Sequence, residues 1–323
     1  MTMATSAFST FAAVGNREDL SNRIYRIDPT ETPVFSGIEK SKATAVNHEW
    51  QTQALAAAST SNAQLEGDDN YAADAATPSV RLGNICQISR KTPRVTGTQQ
   101  AVKHAGRDDE MDYQKMLKGM ELRRDIEATI TGANQAKVSG ATTTARKLAD
   151  MLSWIKTNTD KGGGTGADPT AADGTGVRVD AATANQRAFT ENLLKNVLKK
   201  CYDNGGKPNN LFMGSFQKQA FSMFTGRGTP MEDQGDKKIT AAVDVYESDF
   251  GKLKAIPDLF MRTRDVLVLQ TDMWAYAPLP GRNFLSYPLA KTGDSEAATV
   301  LSEYTLEARN EKSSGGIFDL TSS

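Results

Sequence analysis

The order of elements along the chain predicts an α+β fold, and three observations carry that prediction. A single long helical pattern runs from about His104 to Gly132, and a helix, short strand and helix follow one another between Thr190 and Phe224. From Ile239 onward the pattern is mainly one of strands. Helices and strands are thus segregated along the sequence instead of alternating regularly, which favours α+β. With 323 residues the chain is long enough to bury one large core or two medium ones.

The first element is an arm. Leu20, Ile24 and Ile27 share one side of a short amphipathic helix, with Arg17, Arg23 and Arg26 elsewhere on it. Asp28-Pro29 and Thr32-Pro33 follow, and proline both removes a donor and pushes the preceding residue into extended geometry. Residues 30–35 are therefore predicted to be stretched, leaving Val34 and Phe35 with no local surface to bury against. Such a segment either straps the entry to a domain or lies on a neighbouring subunit, and the second is the expectation.

Next comes a two-stranded excursion. Val46, His48, Trp50 and Thr52 alternate with polar residues, as in a half-buried strand, and Val80, Leu82, Cys86 and Ile88 form a second such run in which Asn84 and Ile85 break the pattern. The gap between them, residues 54–79, is rich in Ala, Ser, Asn and Asp, a length that implies function or mobility. An isolated hairpin is marginal in water, so this one needs another surface.

In the long helix Asp108, Asp109, Glu110 and Asp112 crowd the first turns, and Arg123 and Arg124 lie later, the order that the helix dipole favours. Tyr113, Met116, Leu117 and Met120 form one apolar stripe. Met111, Leu122, Ile126 and Ile130 form another on the opposite side, so the helix is expected to be sandwiched. A shorter helix is predicted over residues 146–156, followed by a Gly-rich loop, residues 162–176, read as flexible surface. Thr190 is predicted to cap a helix that Asn204-Gly205-Gly206 stops, and Ser215 to cap another. Thr225 to Lys238 reads as a polar loop. Val243 to Tyr246, Val266 to Leu269 and Ser302 to Arg309 read as strands, the last with charges on one face, where it meets water or another polar surface.

Composition and motifs argue against chemistry. Lys plus Arg total 38 and Asp plus Glu 39, a net charge of −1 that lacks the basic excess of a dedicated nucleic-acid binder. The two cysteines, Cys86 and Cys201, have no CxxC spacing and read as small apolar fillers of a reduced protein. His48 and His104 are the only histidines, and neither has a metal-ligand partner at helical spacing. The Gly-rich loop lacks the Gly-Lys-Ser/Thr ending of a phosphate cradle. Glu66, Asp68, Asp69 and Asp74 lack the alternation of a calcium loop and read as a solvated tip. The first fifteen residues lack the basic start of a signal peptide, and no segment approaches the ~18 apolar residues of a membrane span. No catalytic, cofactor or metal residue is predicted, and the chain is not expected to be an enzyme.

Four segments then suggest a family. NREDLSNRIYRIDPTETPVFSGI (residues 16–38), RRDIEATITGA (123–133), VDVYESDFGKLKAI (243–256) and LAKTGDSEAATVLSEYTLEARNEK (289–312) resemble parts of the major capsid proteins of tailed double-stranded DNA phages with the Hong-Kong-97-type fold. The resemblance implies an N-terminal arm over 1–43, an extended loop over 44–98, and a peripheral domain with a long spine helix over 99–187. An axial domain over 188–278 and return strands over 279–323 complete it. It also implies a structural subunit that assembles into pentamers and hexamers around the genome, in a virion built in the host cytoplasm. Scaffolding, portal and decoration proteins are the other implied partners, with diffuse contact to packaged DNA and none to a membrane. No charged scaffolding helix precedes the arm, so a separate scaffold, or a short self-contained assembly programme, stays open. The Lys–Asn geometry of cross-linked shells has no counterpart here, so assembly is expected to be non-covalent. Val34, Phe35 and Trp50 are the predicted interface anchors. An encapsulin-like compartment, an enzyme, and a tail or adhesin component are the alternatives.

Overall fold

The computed structural model describes residues 29–67, 73–224 and 244–322. The predicted helix around Leu20, the loop from Thr225 to Lys238, and Val243, Asp68 and Asp69 lie outside those residues.

The longest strand, β13 (Ser295–Ala308), organises the first sheet. Along one edge it pairs antiparallel with β11 (Trp274–Pro278) and β12 (Leu285–Pro288), and along the other with β4 (Gln87–Lys91) and β5 (Arg94–Thr96). A two-residue strand, β1 (Glu39–Lys40), extends it parallel to β11. The alternation read in β13 holds for one face: Val300, Tyr304, Leu306 and Ala308 enter the core against helix α3 (Glu110–Gly132). The charged face is not open to water. Glu303 is buried and receives Arg146 at 2.6 Å and Arg282 at 2.5 Å, while Glu307 takes Arg309 at 3.2 Å.

The second sheet runs β6 (Thr159–Asp160), β14 (Gly315–Ile317), β10 (Val266–Leu269), β7 (Asn210–Met213), β9 (Gly251–Pro257) and β8 (Val245–Ser248). Within it β10 is buried on both faces, which explains its uninterrupted apolar run. Val266 and Val268 join a core with Leu194, Val197, Leu198 and Cys201 of α5 (Glu191–Asp203) and Phe221 of α6 (Ser215–Ser222). Leu267, Leu269, Phe212 and Phe318 face the other core, with Trp154, Trp274 and Leu122, Ile126 and Ile130 of α3. Gly205, at φ +80°, ends α5 where the sequence predicted, and Gly214, not Ser215, occupies the cap position of α6.

Several expectations are corrected. Pro33 does not prolong an extended segment: it opens a short helix, α1 (Pro33–Gly37), as proline does at a first helical position. The long helix begins at Glu110, capped by the Asp109 carboxylate on the Asp112 N–H at 2.8 Å, while Gly97–Ala101 forms a separate turn of helix, α2. Only one of its apolar stripes is buried, since Met116 is 45% exposed. The helix expected over 146–156 shrinks to α4 (Met151–Trp154), capped by Asp150.

The Gly-rich loop is fastened down. Asp168 binds Lys161 and Arg178, both at 2.7 Å, and the Gly162 N–H donates to Asp319 at 3.1 Å. The Lys137 N–H donates to the Gly174 carbonyl at 2.8 Å, Lys156 Nζ to the Thr170 carbonyl at 2.6 Å, and Ser153 Oγ to the Gly176 carbonyl. Its glycines permit close approach: at Gly174, φ +75°, a Cβ would lie 2.7 Å from the Ala149 Cβ and 3.1 Å from the Trp154 ring.

Candidate assembly surface

The surface left open by this packing is the excursion. β2 (Asn47–Thr52) pairs antiparallel with β3 (Val80–Ile85), Trp50 opposite Leu82, in a two-stranded ribbon separate from both sheets. The second run of alternation is divided at Cys86. Up to Ile85 it belongs to the ribbon, and from Gln87 it joins β13. Beyond the ribbon, every described residue from Gln53 to Gly67 and from Ala73 to Ser79 is exposed, Leu55 to 96% and Leu65 to 82%. Large aliphatic side chains beyond the end of a ribbon, with none of the described residues over them, are a surface that a partner would cover.

The three predicted anchors have distinct places. Val34 is fully buried and Phe35 6% exposed, both within this chain's own core; Phe35 meets the Tyr276 ring edge-on at 4.7 Å. The expectation that they lack local cover is therefore corrected, because the α1 turn rolls both side chains inward beneath Arg123, whose guanidinium sits 5.2 Å from the Phe35 ring. Trp50 is half-buried at the ribbon's base. Its Nε1 donates to the Ala308 carbonyl at 3.0 Å, and its ring lies 5.5 Å from that of Trp154. All three residues thus root an appendage in its own subunit.

Two rooting residues were missed in the sequence. Asn84 is fully buried and uses its whole amide: Nδ2 donates to the Ala149 and Leu306 carbonyls at 3.0 and 2.8 Å, and Oδ1 accepts from the Ala149 N–H at 2.8 Å. Ribbon, α4 approach and β13 are joined at that one side chain, and the signal was its break in the alternation. Glu127 accepts the Val34 and Phe35 N–H groups, both at 2.7 Å, supplying the partners that the start of α1 lacks. An acid beside Ile126 on an apolar helical face was its signal.

The thiols of Cys86 and Cys201 are buried, and burial pushes them up to about 11 and about 12, the behaviour of packing groups rather than nucleophiles. His48 lies 3.5 Å from Glu307, and no group of three or more potential metal ligands occurs among the described residues. No helix among them is long and apolar enough to cross a membrane.

Comparison with known proteins decides the family. The sequence model of the SU10 major capsid protein matches residues 3–321. The chain belongs to that family. Over 121 residues this capsid protein is 35% identical to the major capsid protein of Escherichia phage Phieco32, a stretch covering 37% of this chain and 34% of the relative, about a third of its length. In structure it is similar to the capsid asymmetric unit of cyanophage A-1(L), with a TM-score of 0.64 at 12% identity over 97% of this chain and 98% of that one. It also resembles the holo-SrpI encapsulin complex of Synechococcus elongatus PCC 7942, at 0.56 and 9% identity over 96% and 94%. The fold is the Hong-Kong-97 type of phage major capsid proteins.

Proposed function

We propose that this capsid protein closes, with copies of itself, into the icosahedral head that encloses a phage's double-stranded DNA, assembling in the host cytoplasm as pentamers and hexamers. The observation that carries the reading is the match to a major capsid family over residues 3–321. The excursion supports it: a ribbon rooted by Trp50 and Asn84 projects an exposed segment that carries Leu55 and Leu65 and that another copy would cover. Residues 44–98 serve as the extended loop, 99–187 with 279–323 as the peripheral domain, and 188–278 as the axial domain. Many modest contacts repeated around closed symmetry sum to a stable shell, and near-neutral charge limits repulsion among the copies. Scaffolding, portal and decoration proteins are its further partners; one structural neighbour is a major capsid protein solved with decoration proteins.

Negative-stain microscopy of the expressed full-length chain tests this. Closed shells are expected, and replacing residues 54–78 by Asn-Gly should abolish them while the far-ultraviolet circular dichroism of the subunit is kept. Small discrete oligomers of the unaltered chain would refute the proposal. Shells that fill with one defined protein and no nucleic acid during infection would favour the encapsulin reading instead.

A further inference from the structure

The Gly-rich loop and the ribbon of the excursion are far apart in sequence, yet the contacts at the ribbon's root converge on one residue of the loop, Gly174. Three routes lead there. Asn84 of β3 binds the Ala149 carbonyl and N–H at 3.0 and 2.8 Å, and Gly174 rests on Ala149, whose Cβ lies 2.7 Å from where its own would stand. Trp50 of β2 sets its ring 5.5 Å from that of Trp154, and the Trp154 ring is 3.1 Å from the same point. The third route is Lys137. Its backbone N–H donates to the Gly174 carbonyl at 2.8 Å, and its Nζ donates to the Gly83 carbonyl, also at 2.8 Å. That ammonium stands 6.0 Å from the Trp154 ring as well. Gly83 is paired with Glu49 inside the ribbon, so Lys137 reaches the ladder from outside with a charge-assisted bond.

We propose that the Gly-rich loop is the seat of the excursion, and that Lys137 is the positioning residue that ties the ribbon to it. Among the described residues, Lys137 is the one that hydrogen-bonds to both loop and ribbon. The seat is itself fixed, because Asp168 holds Lys161 and Arg178 and the Gly162 N–H is bound to Asp319. The loop therefore sets the direction in which β2 and β3 leave the subunit. Six residues of strand span about 20 Å, so a small tilt at the root is enlarged at the exposed residues beyond the ribbon. The seat is a property of a single subunit; only its use, aiming the exposed segment at another copy, rests on the capsid reading.

Hydrogen–deuterium exchange on the full-length protein tests the seat with Lys137→Met, which removes the ammonium and keeps the backbone donor to Gly174. Exchange should rise roughly tenfold in peptides covering β2 and β3, the worth of one charge-assisted hydrogen bond. It should rise also in peptides covering residues 169–177, whose own hydrogen bonds the substitution leaves in place, while peptides covering β10 stay unchanged. Lys137→Arg, which keeps a charged donor, should restore both segments. Unchanged exchange in the ribbon overturns the proposal, as does a rise confined to the ribbon, since loop and ribbon would then be uncoupled. A rise shared equally with β10 also overturns it, because that reports general loosening. These rates are read on the subunit whether or not shells form, so a failure of the capsid reading leaves the exchange result intact. In microscopy Lys137→Met should give fewer closed shells than Lys137→Arg; equal yields with a faster-exchanging ribbon would overturn the part of Lys137 in assembly.

Discussion

Gly174→Ala tests whether the Gly-rich loop is an incidental insertion or part of the core. Alanine there must hold φ at +75°, a left-handed conformation that costs an L-residue about 1–2 kcal/mol. Its Cβ would also arrive 2.7 Å from the Ala149 Cβ and 3.1 Å from the Trp154 ring, and both neighbours are fully buried. Overpacking of that kind costs about 1–3 kcal/mol, so the sum is about 2–5 kcal/mol. Gly163→Ala is the internal control: the same loop and the same substitution, but nothing lies within 4 Å of its Cβ. Equilibrium urea unfolding followed by tryptophan fluorescence reads both, with Trp154 reporting close to the first site. If Gly174→Ala lay within about 0.5 kcal/mol of Gly163→Ala, the usual range for a neutral surface change, the loop would not be packed as described.

Phe35→Ala should destabilise the isolated subunit by about 3–5 kcal/mol in the same measurement, because the ring is enclosed by its own chain. Trp50→Phe keeps an aromatic ring but removes the donor to Ala308, and a loss of about 1 kcal/mol is expected, with faster exchange of the β2 amides. Stability should also depend on pH. Burial carries Asp150 and Asp265 from 3.8 to about 7, so folding takes up protons between those values. The contribution of these groups is therefore fully present below about pH 4 and is lost as pH rises through about 7. Asp150→Asn should flatten part of that profile in urea titrations while still capping α4, since asparagine is as good a cap as aspartate.

What could be read in the sequence was whatever a local rule decides. The Val266–Leu269 run, the stop at Asn204-Gly205 and the pairing of the two excursion strands follow from burial, left-handed glycine and period-two alternation. The errors share one cause, contacts between residues far apart in the chain. Pro33 suggested an extended strap because Glu127, ninety-three positions from Val34, was not in view. The Gly-rich loop looked idle because Asp319, Ser153 and Lys137, which hold it, come from elsewhere in the chain. The charges of β13 left water and another polar surface both open, because Arg146 and Arg282, which meet Glu303, are far from it in sequence. The excursion was the part of the candidate site that could be read, since its exposed tip is a matter of composition. Its roots at Asn84 and Trp50 were not, since a buried amide is recognised only by the groups it joins.

The alternation within β10 has a mechanical consequence. Successive residues of one short ribbon plug into opposite interiors, so the two halves of the subunit share a wall. Neither half can pivot without unseating side chains of the other, and close-packed interiors resist that. If a closed container of such units changes size, the units must tilt whole along their borders. Compliance is then confined to what projects beyond that wall, and the wall itself transmits force undiminished from one border to the next.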